Sequence, residues 1–392
     1  MTTVTPDAPP VHGTPGTLSG VTLLQTGHDF NDVSADQGGN LWATTQKALY
    51  FFRGGGGDPI TYDTSSGLAQ GHATWTDTYW FGSPDNPSTQ TTTFSAVAGG
   101  TAGEVFVGHL GMIGDRLQVD PASGAVQSIE SLAVTAIQQM DPTELGPQQQ
   151  REVSVLRAVV DLAGPFGGTV YFGGWHGTSA LHGMTLPRQT SVCGCYDYEE
   201  HVHPFGDGGD AIFGTDVRGL ALTPEGDLWM GDRRALYFMP ERSAGPMADF
   251  FQPIGIPGRP VNSVIDVFPG VDDFTYGIAL DANGGVYVAS FGNGLAYLAP
   301  GSYVATYFTA ANTLPSNDLT DVVVDRNGDV WIGTHGAGIA RYTPSAATFT
   351  YYTAKSGLPS GNIRRLSLDP FRTDARVLYI ATDNGIAIYA GP

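Results

Sequence analysis

The sequence predicts an all-β fold: a seven-bladed propeller of four-stranded antiparallel blades, closed by an N-terminal strand that completes the last blade. Three observations predict it. A block of the form Asp-x-x-Gly, apolar strand, Gly/Ala-Thr, short loop, apolar strand recurs along the 392 residues. Its period of about 40–50 residues is the spacing of propeller blades. The strands are rich in Val, Ile, Tyr and Trp and are bounded by Gly, Asn and Asp, the composition of short paired strands. Finally, the last block ends at Tyr389 without the outer strand that earlier copies carry, while a segment of that kind, VTLLQT at residues 21–26, stands alone near the N-terminus.

Seven blocks can be laid over one another in chain order. They are NLWATTQKALYFF from Asn40, EVFVGHLGMIGDRL from Glu104, TVYFGGWHGTSALHG from Thr169, DLWMGDRRALYF from Asp227, GVYVASFGNGLAYL from Gly285, DVWIGTHGAGIARY from Asp329 and RVLYIATDNGIAIY from Arg376. Each reads as the middle of a four-stranded unit. In the sixth, the four strands are LTDVVVD, VWIGT, GIARY and TFTYYT. A four-stranded sheet cannot bury both faces alone, so neighbours must stack around an axis. Arg326-Asn327-Gly328 and Ala282-Asn283-Gly284 join first to second strands, and Asn-Gly suits the left-handed backbone of a tight hairpin. Insertions fall near residues 76–92 and 131–151. One stretch, residues 148–162, is expected to hold a helical turn before the third unit.

The first 20 residues are rich in Pro, Thr and Gly and read as a flexible tether, leaving residues 21–392 as a single propeller domain. Net charge is −20, with 18 Lys and Arg. Such a surface should repel nucleic acid and anionic membranes. No apolar run approaches the roughly 20 residues of a membrane span, so direct insertion is not expected. The tether, the acidity and the fold point to an exported protein, periplasmic, cell-surface or extracellular, although no signal peptide is visible.

Units five to seven carry a more specific pattern. The stretch VVVDRNGDVWIGTHGAGIARY, followed by FTYYTAKSGLPSGNIRRLSLD, is similar to the two-component regulator propeller repeat family. That family's pattern is Asp-x-Asn-Gly-x-Ile-Trp-Ile-Gly-Thr, Gly-Leu-x-Arg-Tyr and Gly-Leu-Pro-x-Asn-x-Ile. Residues 312–317, NTLPSN, repeat the last motif, and Ser66-Gly67-Leu68 keep part of it. The resemblance implies a seven-bladed propeller, often the extracytoplasmic sensory half of a membrane-bound regulator. This chain ends with the seventh block and shows no kinase or DNA-binding region, so a stand-alone binding propeller is the expectation.

Candidate site residues follow from placing loops on blades. Loops joining strands two to three and four to one share a rim. His109, His176 and His335 fall in two-to-three loops on this alignment, and His28 and His72 in four-to-one loops. The sharp reading is a metal or acid/base site at the channel mouth; the bland one is that histidines collect in polar loops. The densest cluster runs from Cys193 through Cys195, Tyr196 and Tyr198 to His201 and His203. Its thiols, carboxylates and imidazoles suit Zn or Cu, against the reading of an irregular sheet edge with polar ordering residues. Trp175, His176, Tyr196 and Tyr198 offer aromatic surface for a ligand. Trp42, Trp229 and Trp331 occupy one second-strand position in three units, as do Tyr171, Tyr287 and Tyr379 in others, and are expected to pack between blades. Asp32, Asp318 and Asp321, near the starts of first strands, are candidates for Ca²⁺ or for turn capping.

Three functions remain open on these residues. The first is a non-enzymatic module that recognises a protein, a carbohydrate or a small ligand on the long-loop rim. The second is a polysaccharide lyase or hydrolase, with His176, Tyr198 and Arg233 as the catalytic group to test and with fold-level analogy as its support. The third is a structural subunit of an envelope complex.

Overall fold

A computed structural model describes residues 13–68, 75–77, 88–90, 94–109, 114–133, 155–163, 168–174, 177–182, 196–197, 200–202, 217–231, 235–239, 265–268, 275–302, 304–372 and 376–391. Among these, the strands form seven sheets with four antiparallel strands each, in chain order, and one separate two-stranded ribbon. The ribbon pairs Trp75–Asp77 with Ser88–Gln90, inside the first expected insertion. Sheet one begins with Asp32–Ala35, sheet two with Phe94–Gly99, sheet three with Val155–Asp161 and sheet four with Gly219–Leu222. Sheets five, six and seven begin with Thr275–Leu280, Leu319–Val324 and Ile363–Leu368. The strand Val155–Asp161 lies where a helical turn was expected. Its alternation of Val, Leu and Ala with a single Arg is a strand pattern, and its partner Thr169–Gly174 supplies the ladder.

The first strand of each sheet packs against the first strand of the next, and that of sheet one also meets that of sheet seven. The chain ends meet in sheet seven. Val21–Leu24 pairs antiparallel with the last strand, Val21 opposite Tyr389 and Leu24 opposite Ile386. The expected tether is shorter than its 20 residues. Thr14–Pro15 adds a fifth, parallel strand to sheet six, opposite Thr350 and Tyr351, and Leu18 is buried against Trp331, Tyr352 and Leu358. The outer edge of sheet six otherwise presents unpaired backbone groups, and this strap covers them.

The core lies between sheets. Trp42, Phe51 and Tyr62 of sheet one pack with Val97, Val105 and Leu117 of sheet two. Phe30, Val33 and Phe52 of sheet one pack with Val377, Tyr379 and Ile386 of sheet seven. Trp331 packs with Ile363, Leu366 and Leu378, and Trp229 with Ile278 and Val288. The second-strand aromatics are thus packing residues, and truncating one such Trp to Ala costs about 3–5 kcal/mol in comparable cores.

Short motifs that recur in the sequence have local physical reasons. In the hairpin after Val324, Asp325 Oδ1 accepts from the backbone N–H of Asn327 (2.9 Å) and Asp329 (3.1 Å). Gly328 between them takes φ +79°, which a side chain rarely adopts. Oδ2 of the same carboxylate accepts from Trp331 Nε1 at 2.8 Å. Asp36 repeats the arrangement with Trp42 Nε1 at 3.0 Å. The Gly-Leu motif is also structural. Thr353 caps a single 3₁₀ turn over Ala354–Ser356 with a reciprocal capping box, Gly357 reverses the chain at φ +107°, and Leu358 drops into the core. Asp63 and Thr64–Ser66 do the same ahead of the buried Leu68.

Candidate functional site: an aromatic and arginine arc above a charged floor

The inner strands carry a repeated irregularity. Five of the seven first strands are bulged one residue after they begin pairing. A bulge leaves one residue outside the ladder and re-aims its side chain. The residue at this place is Ser95, Leu156, Tyr276, Thr320 or Arg364 in the bulged strands, and Asn31 and Arg218 stand at the matching positions of sheets one and four, each five residues before its hairpin. Several of these side chains reach the next sheet. Asn31 Nδ2 donates to Phe94 O at 2.8 Å, Ser95 Oγ to Val155 O at 2.6 Å and Arg218 Nη1 to Tyr276 Oη at 2.9 Å.

On the loop side of these positions, Arg218, Tyr276, Phe291, His335 and Arg364 form a continuous arc from sheet four to sheet seven. The Arg218 guanidinium lies 5.2 Å from the Tyr276 ring centre. Tyr276 and Phe291 are 5.7 Å apart, and Phe291 and His335 5.6 Å apart. His335 is fixed by its backbone N–H, which donates to Asp318 O at 2.8 Å. Burial, and next the Arg364 charge, hold its imidazole below the ordinary range; Asp318 and Asp383 oppose this and do not prevail. Neutral, the ring offers one donor and one acceptor. Arg364 closes the arc onto sheet one with a two-pronged bond to Asp29, Nε to Oδ1 at 3.1 Å and Nη2 to Oδ2 at 2.9 Å. Asn362 Nδ2 donates to Asp383 Oδ2 at 3.1 Å beside it.

One residue deeper, the inner strands build a floor of buried charge. Arg157 of sheet three reaches sheet six, with Nη1 3.1 Å from Asp321 Oδ2. Arg365 of sheet seven reaches sheet three, donating from Nη2 to Leu156 O at 3.1 Å, and stands 3.6 Å from Asp32 Oδ1 and 4.0 Å from Asp321 Oδ2. Each carboxylate also joins its sheet to the next: Asp32 Oδ2 accepts from Val97 N, and Asp321 Oδ2 from Leu366 N, both at 3.0 Å. Burial and then the neighbouring Arg157 charge pull Arg365 down to about 10. Burial raises Asp32 against the pull of Arg365 and Arg157. Burial works against the charge of Arg157 too, but Asp321 and Asp32 outweigh it and raise its pKa. Gly219 and Gly277 hold the matching positions of sheets four and five, and a Cβ on Gly277 would stand 2.5 Å from Asp321 Oδ1.

The expected site residues are dispersed. His335 is in the arc. His109, expected in a rim loop, instead ends a strand and is wholly buried, with Nε2 3.1 Å from Asp115 Oδ2 and its ring edge-on to Phe94. Tyr196, expected on the rim, lies in a two-residue strand paired with Leu132 on the outer edge of sheet two. His201 pairs with Ser179 in the fourth strand of sheet three. Trp175, His176, Cys193, Cys195, Tyr198, His203 and Arg233 lie outside the described residues. Asp32 and Asp321, offered as calcium ligands, are spent on backbone N–H groups and arginines. Among the described residues, no group of three or more His, Cys, Asp or Glu side chains is placed to hold a metal ion. The arginines of the arc and floor were missed by the sequence reading. Their signal was a charged residue interrupting an apolar first strand, as in VLRAVVD, IRRLSL and LTDVVV.

Comparison with known proteins supports the fold. The two component regulator propeller family matches residues 313–336, while no curated protein matches the sequence. A similar solved structure is the extracellular domain of BT3049 from B. thetaiotaomicron, described as a hybrid two component system. It is 15% identical with a TM-score of 0.59, over 98% of this chain and 41% of that one. PorZ, a surface component of the type-IX secretion system of Porphyromonas gingivalis, is 17% identical with a TM-score of 0.59, over 92% and 46%. YCF48 bound to D1 peptide is 13% identical with a TM-score of 0.55, over 95% and 96%. The chain spans less than half the length of the first two. Its sheets are those of a β-propeller, and residues 313–336 are similar to the two component regulator propeller repeat.

Proposed function

We propose that the seven sheets close into one seven-bladed propeller from about residue 13 onward, and that it is an exported, non-enzymatic module binding a protein partner on its loop face. The observation that carries this reading is the part-exposed end of the arc, Phe291, His335 and Arg364, seated over the buried pair Arg218 and Tyr276. Arg and aromatic residues are enriched in protein-binding hot spots, and here Arg364 stands beside Phe291 and His335, backed by a rigid buried Arg218–Tyr276 pair. Two of the similar structures are extracellular or surface components, which supports export, and a third holds a peptide. Binding is tested by cross-linking partners to the protein in the extracytoplasmic fraction of producing cells. The variant Phe291→Ala/His335→Ala is expected to lose the cross-linked species while melting within a few degrees of the parent. An unchanged set of species would remove the arc from the binding site. Closure is tested by deleting residues 1–26. That removes the outer strand of sheet seven and the buried Leu24, so the melting temperature should fall by far more than loss of a tail would cause; an unchanged melt would refute the ring.

A further inference from the structure

The floor of buried charge has a second side. Facing the hairpins, opposite the arc, the inner strands of sheets seven, one, two and three enclose a cavity of about 180 Å³. Its walls are mixed: Val33, Val97, Val159, Leu366, Pro370 and Phe371 give apolar surface, and Asp32, Ser34, Arg157 and Ser367 give polar side chains. Polar and apolar surface are about equally represented. Arg157 lines the cavity and keeps 12% of its side chain exposed. Its Nη1 is committed to Asp321, and the rest of the guanidinium is not sealed in. Ser34 and Ser367 stand at matching positions of adjacent inner strands. Their hydroxyls donate only weakly, to Ala35 O and Leu368 O, each at 3.5 Å, which is at the limit of a useful bond.

The acceptors at this level are already used. Asp32 takes the N–H groups of Val33 and Val97, and Asp321 those of Val322 and Leu366 as well as Arg157. What the cavity still offers a guest is donors at its base and apolar surface above them. An arginine that faces a pocket is matched by a carboxylate, which it can hold through two parallel bonds. A concavity that sets a few polar side chains beside apolar ones is a form that small-ligand sites take.

We propose that this cavity is a binding site for a short apolar monocarboxylate, its carboxylate on Arg157 and the Ser34 and Ser367 hydroxyls, its hydrocarbon part against Val159 and Phe371. The site is separate from the arc and does not depend on it: the charged floor lies between them. The same chemistry is presented by a free acid or by the C-terminal residue of a peptide ending in Leu, and the size of the cavity favours the free acid.

Calorimetric titration of the full chain with hexanoate, hexanamide and two short Leu-terminated peptides, one with a free and one with an amidated C-terminus, tests this. Hexanoate should bind and hexanamide should not. Ser367→Phe, which fills the cavity without touching the floor, should abolish hexanoate binding with little change in melting. Arg157→Lys, which keeps the charge but loses the planar fork, should weaken it about tenfold. Binding of the free-acid peptide alone, lost on amidation and in Ser367→Phe, would keep the carboxylate site and assign it to a chain terminus. No binding of either acid, equal binding of hexanoate and hexanamide, or binding that survives Ser367→Phe would overturn the proposal.

Discussion

Sheets two and six have the same backbone and different interiors. Their second strands, Glu104–His109 and Val330–Thr334, pair in matching register with their first strands. In that register His109 takes the place of Thr334, which is buried and donates to Gly338 O, whereas His335 comes one residue later. Successive residues of a strand face opposite ways. One position therefore separates a histidine sealed against Asp115 from a histidine on the rim. The carboxylates differ as well. In sheet six, Asp325 binds its own hairpin and Trp331 and also meets Arg376 of sheet seven, Nε to Oδ2 at 3.0 Å. In sheet one, Asp36 likewise reaches forward, accepting from Gly103 N of the next sheet at 2.9 Å. Sheet two has Gly100 at that place. Its carboxylate is Glu104, which accepts from Thr101 N and from Arg116 Nε without leaving the sheet. A propeller sheet can be held from within, as by Glu104, or by a carboxylate that also reaches the next sheet, as Asp36 and Asp325 do.

Asp325→Ala is the sharpest way to break the contrast. It removes a buried acceptor from Trp331 and from two hairpin N–H groups, and it strips a nearly buried Arg376 of its closest carboxylate. Breaking such a pair from one side costs about 3–5 kcal/mol. Glu104→Ala should cost less, about 1–3 kcal/mol, because Arg116 is more exposed and keeps Glu130 at 3.1 Å. Urea unfolding of both variants checks the order. Equal losses would mean that reaching the next sheet adds nothing over a bond within the sheet.

The same contrast explains what the sequence made legible. The Trp and Tyr of the second strands announced packing between sheets because they recur at one position, and Trp42, Trp229 and Trp331 are there. The strand at residues 21–26 was legible because the last unit lacked a partner, and Val21–Leu24 now fills it. The site was less so. His109 was misread by one residue, a slip that reverses a side chain but hardly disturbs an alignment of loops. Tyr196 was misread because a chain returning to an outer edge leaves no repeat to align. Arg157, Arg218, Arg364 and Arg365 were overlooked because the first strands were read for their apolar pattern and the charges that interrupt it were not, and the bulge that turns Arg364 out of the ladder has no spelling of its own.

The smallest effect concerns the rim histidine. Burial and Arg364 lower the pKa of His335 in the folded protein, while the unfolded chain takes up its proton near the ordinary imidazole value of about 6.5. Where the unfolded state binds more protons, stability falls as pH falls. The contribution of His335 is therefore complete above the ordinary value and is lost progressively as pH drops through it toward the depressed folded value. His335→Asn keeps a polar group of similar size and removes the titration. Unfolding of the parent and the variant from pH 7.5 to 5 should show the parent losing its advantage on the acid side. Asp318 and Asp383 face the ring from the same sheet and the next, and their charges would act the other way. Parallel curves would mean that they cancel the burial, leaving His335 on the rim as an ordinary solvated imidazole and erasing the difference in environment between the arc of sheet six and a bare loop.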